Sequence, residues 1–369
     1  MPKGRIRHMF PGGNTSRGFY SYYNYIIGQE EAERIFIIKG GPGVGKSTFM
    51  KKTAYEMVEL GFDVEFMHCS SDNGSLDGIV VPKAGIAMID GTAPHVVDPK
   101  NPGAVDEIIH LGDFWNEAGM RKNREDIIKT NKEVGRLFAR AYRYLKAASE
   151  LYQDIAVING WAVDEAKINK LSNELMDEMF ADIPVASVTG NLRCLFASAI
   201  TPDGLKNYLN TLLTTKEVIS LKGFPGAGTE RLLEKVKDAA LERGYNVEAY
   251  YCALYPDKLE HLIIPGMDIS LTTENQYHSS DVYITGELDF TVSLDNKLLE
   301  EYSDTLEYNR SEFDELLGKA LETIGKAKLM HDDMEKYYVP NMDFEAVQRC
   351  WESTMGRILE YAGAVKTLE

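Results

Sequence analysis

The chain has 369 residues, 44% of them hydrophobic and 26% charged, and a formal net charge of −17. That length exceeds one ordinary core and predicts two domains, while the acidic balance leaves no broad positive field for a phosphate backbone and argues against nucleic acid as a partner. The basic start MPKGRIRHMFPGG is not followed by an apolar run, and no later stretch holds about 18 uninterrupted apolar residues, so a cytoplasmic chain without a membrane span is expected.

In chain order, the first distinctive stretch is FYSYYNY at 19–25, preceded by PGGNTSRG. Phe19, Tyr22, Tyr23 and Ile26 fit one face of a helix, and aromatic faces usually pack inward rather than stack on a base. Next comes IFIIKGGPGVGKSTFM at 35–50, a β-branched strand running into Gly40, Gly41, Pro42, Gly43, Val44, Gly45, Lys46, Ser47 and Thr48. The spacing G-x-x-x-x-G-K-S lies between a strand and a stretch free of Gly and Pro up to Leu60. Glycines there let backbone N–H groups close around phosphate oxygens at a helix N-terminus, with Lys46 neutralising charge and the Ser47 hydroxyl available to Mg²⁺. Lys39 stands too far from Lys46 to form the alternative KGGxxK[ST] pattern.

The run Gly85-Ile86-Ala87-Met88-Ile89-Asp90 ends an apolar strand on a carboxylate, which makes Asp90 the second expected Mg²⁺ partner. Gly91 and Thr92 follow where a water-orienting glutamate often stands, and that argues against fast hydrolysis. Asp72, His95 and Asp98 are further candidates for a base, with Asp72 preferred.

Sliding the chain on itself by 183 residues lays KGGPGVG over KGFPGAG, with 19 identities in the 75 positions of 38–112. The repeat keeps Lys39, Cys69, His95 and Asp98 as Lys222, Cys252, His278 and Asp281, which favours structural roles for them. It loses Lys46 to Thr229, Ser47 to Glu230, Asp90 to Thr273 and Asp72 to Tyr255. The lost residues are therefore the functional candidates, and the first half is expected to hold the one catalytic centre. Thr229 and Glu230 are expected to satisfy the N–H groups that phosphate would otherwise bind.

Downstream, Val134, Phe138, Ala141, Leu145, Ala148, Tyr152 and Ile155 keep a 4-3-4-3 spacing. Phe313, Leu317, Ala320, Ile324, Ala327, His331 and Met334 repeat it. Second arms are expected at 164–180 and 343–359, closing a helical hairpin in each half that would serve core packing, with a lid or an oligomer contact as the alternative. The four cysteines show no metal-ligand spacing and read as reduced thiols.

At KGGPGVGKS the sequence resembles the P-loop NTPases, and its whole-chain pattern resembles a bacterial family of ATPases with tandem P-loop domains. The resemblance implies ATP and Mg²⁺ as ligands. The expected fold class is α/β, with two tandem three-layer P-loop NTPase-like domains at 1–182 and 183–369, the second with a degenerate loop. No N-K-x-D motif is present, so ATP is preferred over GTP. An ATPase is the leading expectation, a phosphotransferase using Asp72 or a nucleotide-dependent scaffold the alternatives. Arg7, Arg17, Arg193 and Arg231 are candidates for a charge-stabilising arginine.

Overall fold

The computed structural model describes residues 2–93 and 96–368. The first half runs β1 (Ile6–Met9), β2 (Gly12–Thr15), β3 (Gly18–Ser21), β4 (Arg34–Lys39), α1 (Lys46–Glu59), β5 (Val64–His68), β6 (Leu76–Val81), β7 (Ile86–Asp90), β8 (Asp106–His110), α2 (Glu117–Lys122), α3 (Arg124–Trp161) and α4 (Glu165–Phe180). The second half repeats the order with β9 (Leu192–Leu195), β10 (Ser198–Thr201), β11 (Gly204–Asn207), α5 (Leu209–Leu212), β12 (Glu217–Lys222), α6 (Thr229–Glu242), β13 (Val247–Tyr251), β14 (Leu259–Ile264), β15 (Ile269–Glu274), β16 (Gly286–Asp289), α7 (Asn296–Glu301), α8 (Ser303–Tyr338) and α9 (Phe344–Leu368). The four-residue α5 differs in kind from its counterpart, a 3-10 turn at Tyr23–Tyr25.

The two halves build matching six-stranded sheets, β1-β5-β6-β7-β4-β8 and β9-β13-β14-β15-β12-β16. In the first, β6 is antiparallel to both neighbours while every other pair is parallel. The second has the same pattern, and its bulge at Tyr250/Tyr251 falls at the repeat position of the one at Met67/His68. The RIFIIK strand β4 lies between β7 and β8 and is buried along its four apolar residues, as a run without alternation requires when both faces are covered.

The layering departs from the three-layer expectation. One face of the first sheet packs on α1 and on Val347, Met355 and Ile358 of α9, a helix from the other half. One face of the second packs on α6 and on Ile168, Leu175 and Met179 of α4, again from the other half. The remaining faces meet: Ile35, Ile37, Met67 and Ile89 share a core with Leu195, Val218, Tyr250 and Ile263. Each sheet thus has helices on one side and its duplicate on the other. The 1–182/183–369 division marks the sequence repeat, whereas each packed unit takes its last helix from across the repeat.

The expected seams are real but join differently. Ala141, Leu145, Ala148 and Tyr152 of α3 pack on Phe313, Leu317, Ala320 and Ile324 of α8, so the long helices pair with each other and not with their own second arms. His331 is less buried than the other residues of the α8 seam and is the exception among them. The helix expected around 19–26 is absent, because Phe19 lies in the β2–β3 hairpin. Tyr22 and Tyr23 are nonetheless buried, and Tyr22 donates to Pro256 O at 2.7 Å. No helix of the described residues is long and apolar enough to cross a membrane.

Candidate functional site

The first loop leaves the carboxyl end of β4 and enters α1 through Gly43 (φ +65°) and Gly45 (φ +94°), a left-handed backbone that only glycine adopts without strain. Residues 40–43 and 45–47 are half-buried, Val44 is buried and Thr48 is exposed. Lys46 Nζ donates to Gly40 O at 3.0 Å and Gly41 O at 2.9 Å, and stands 3.6 Å from Asp90 Oδ2. Asp90 ends β7, directly beside β4, and its Oδ1 accepts from Thr92 N at 2.8 Å. Thr92 Oγ1 in turn donates to Gly40 O at 3.0 Å, tying the carboxylate strand to the loop. Ser47 Oγ accepts from Leu76 N at 3.1 Å. The lysine, hydroxyl and carboxylate chosen from the sequence thus lie at the carboxyl ends of β4 and β7 and the start of α1, where open α/β sheets usually hold ligands.

Asp72 lies in the β5–β6 connection, where its Oδ2 accepts from Ser75 Oγ at 2.5 Å and its Oδ1 is 3.4 Å from Lys328 Nζ. A carboxylate so engaged suits positioning better than proton abstraction. Lys39 Nζ is fully used by Gly91 O, Val97 O and Asp98 Oδ1, which gives Lys39 and Asp98 a structural role. His95 lies outside the described residues.

The surroundings of the loop come from the second half, which sequence reasoning missed. A Cβ on Gly41 would collide with the Tyr338 ring, and one on Gly43 would lie 3.0 Å from Val339 and 3.2 Å from Glu335. Lys328 and His331 reach the same region from α8. Desolvation works against the Lys328 charge, but Asp332 and Asp72 hold its pKa above the ordinary lysine value. Desolvation, with Lys46 acting the same way, holds His331 below the ordinary imidazole value against Asp332, Glu335 and Asp72. The shift favours the neutral ring, the form that can accept a proton. A histidine in an otherwise apolar seam was the available signal for it.

The second loop keeps the backbone, with Gly226 at φ +87° and Gly228 at φ +102°. Its filling differs from expectation: the N-cap position of α6 is Gly228, so Thr229 is the first helical residue and not the cap. Instead α3 seats on the loop: Asn159 Nδ2 donates to Pro225 O at 2.8 Å, and a Cβ on Gly226 would collide with the Ala156 carbonyl. Ala156 and Gly160 stand at the repeat positions of Glu335 in α8 and Val339 just past its end, over the first loop, so small residues admit the helix backbone at one loop and large ones hold it off at the other. Burial pushes the Glu230 carboxyl pKa up, against Lys258, with Glu260, Glu234 and Asp257 adding to the rise.

The four candidate arginines are engaged elsewhere. Arg7 pairs with Glu65 at 3.0 Å and with Glu248, and Arg193 pairs with Glu65 at 2.6 Å and Glu248 at 3.8 Å, across the two sheets. Arg17 pairs with Asp257 above the Tyr255 ring, and Arg231 with Glu165 at 2.8 Å. No family model matches the chain, and no curated protein or solved structure does either.

Proposed function

We propose that the first half binds a nucleoside triphosphate, ATP in preference to GTP, with Mg²⁺ and hydrolyses it slowly. The observation that carries this reading is the meeting of Lys46 and Asp90, 3.6 Å apart, at a loop turned by Gly43 and Gly45 ahead of α1. The donors fit the ligands: Ser47 and Asp90 are hard oxygen groups suited to Mg²⁺, and the loop glycines place no side chain of their own between the backbone N–H groups and phosphate oxygens, while Tyr338, Val339 and Glu335 pack over Gly41 and Gly43. Bound Mg²⁺ would offset phosphate charge. Lys46, now held by two loop carbonyls, would add its own charge there, and His331 on α8 is an imidazole held toward its neutral form.

The second half supplies the covering helix rather than a second centre, because its loop lacks the lysine, the hydroxyl and the carboxylate and is overlain by α3. The test is phosphate release from ATP and Mg²⁺ by purified protein, together with nucleotide stoichiometry. Lys46→Ala should lower release by roughly 100-fold, the scale expected when one charge-stabilising donor is removed, and wild type should bind one nucleotide per chain. Equal release by both proteins would remove the hydrolase reading.

A further inference from the structure

The second half contains a cluster with no part in the proposed reaction. Cys252, Glu260 and His278 are all buried, and each offers one ligand atom within 4.8 Å of the others. His278 Nε2 is 4.0 Å from Cys252 Sγ and 3.3 Å from Glu260 Oε1. A tetrahedral ion with bonds of about 2.0–2.3 Å has ligand-to-ligand edges of about 3.3–3.6 Å, so small side-chain shifts would close this set. Glu260 is fully buried, and its Oε2 has no hydrogen-bond partner among the described residues, a costly state for a carboxylate oxygen. Cys252 and His278 also line a cavity of about 70 Å³, bounded by Tyr152, Tyr277 and the β10–β11 hairpin. That volume admits a water as a further ligand.

We propose that Cys252, Glu260 and His278 form a binding site for a divalent transition-metal ion of the zinc class, next to the degenerate loop. A thiolate and an imidazole select such an ion over Mg²⁺, which separates this site from the oxygen donors of the first loop. Without metal, Lys258 serves as the cation: its Nζ is 2.7 Å from Glu260 Oε1 and donates to Tyr152 Oη at 3.1 Å. Metal binding therefore displaces the ammonium from Glu260. Cys252, Glu260 and Lys258 stand at the repeat positions of Cys69, Asp77 and Ser75, so the competing lysine is particular to the second half.

The test is titration of the full-length protein with Co²⁺, followed by displacement with Zn²⁺. A thiolate-to-cobalt charge-transfer band should appear in wild type, persist in Cys69→Ser and vanish in Cys252→Ser. Lys258→Ser should bind Co²⁺ about tenfold more tightly, because a unit positive charge leaves the site. Circular dichroism of each variant separates loss of the band from loss of fold, and the wild-type spectrum alone can decide. Absence of the band in wild type, or its loss in Cys69→Ser with retention in Cys252→Ser, would overturn the proposal and leave the cluster as an internally neutralised ion network.

Discussion

At the residue scale, the most consequential side chains outside the first loop are Arg7, Glu65, Arg193 and Glu248. The sequence shows that they are repeat partners but not that they meet, because the partners lie on two different sheets. Each carboxylate receives two guanidinium groups, and Tyr250 Oη also donates to Glu248 at 2.9 Å. Burial opposes ionisation of Glu248, but Arg7 and Arg193 hold its pKa below the ordinary carboxylate value. A depressed folded-state pKa contributes stability above the unfolded value, and that stability is lost as pH falls. Glu248→Gln should therefore cost about 3 kcal/mol at neutral pH, the cost of unpairing a buried ion pair. In urea unfolding, the gap to wild type should narrow as pH drops below about 4.5. A gap that stays constant with pH would mean that Glu248 is not ionised in the fold.

At the element scale, the strand-loop-helix at 35–60, the strand ending on Asp90 and both long helices were legible, since each follows from local pattern. What each helix packs against was not legible. A 4-3-4-3 seam states that one face is buried and leaves the partner open, and here the α3 seam found α8. The same gap hid the exchange of α4 and α9, because an amphipathic arm of the right length fits either of two near-identical sheets. It also hid Lys328, Glu335 and Tyr338, which become site residues only through that packing. Ile358 of α9 is fully buried in the first-half core, next to the helix that starts at Lys46. Ile358→Ala should cost about 3 kcal/mol. Hydrogen exchange should speed up in α1 before it does in α6, whereas an α9 packed on its own half would reverse that order.

At the scale of the whole molecule, the repeat organises the fold as a pseudo-two-fold pair, and small contacts show it. Phe10 bridges Phe196, its own repeat position, while Trp115–Met342 and Val163–Leu294 are bridges related by the repeat. Near-symmetry in backbone with asymmetry in side chains explains how the two loops are covered differently, the first by side chains and the second by the α3 backbone: Glu335 and Val339 against Ala156 and Gly160 decide how closely the long helices approach. The exchange also fixes how the molecule can be divided. A fragment of 1–182 carries the first sheet without Val347, Met355 and Ile358, leaving only α1 on its outer face, and it holds α4 with no sheet to cover. The inner face of that sheet loses its partner as well. At roughly 25 cal/mol per Å² of apolar surface, a bare inner face and a half-covered outer face together weigh heavily against the roughly 5–15 kcal/mol by which a domain is usually stable. Each fragment alone should therefore lack a cooperative unfolding transition. Mixing 1–182 with 183–369 should restore one and recover nucleotide binding, because every helix then finds its sheet. A 1–182 fragment that unfolds cooperatively on its own would show that the exchanged helix is dispensable and that the halves are independent domains.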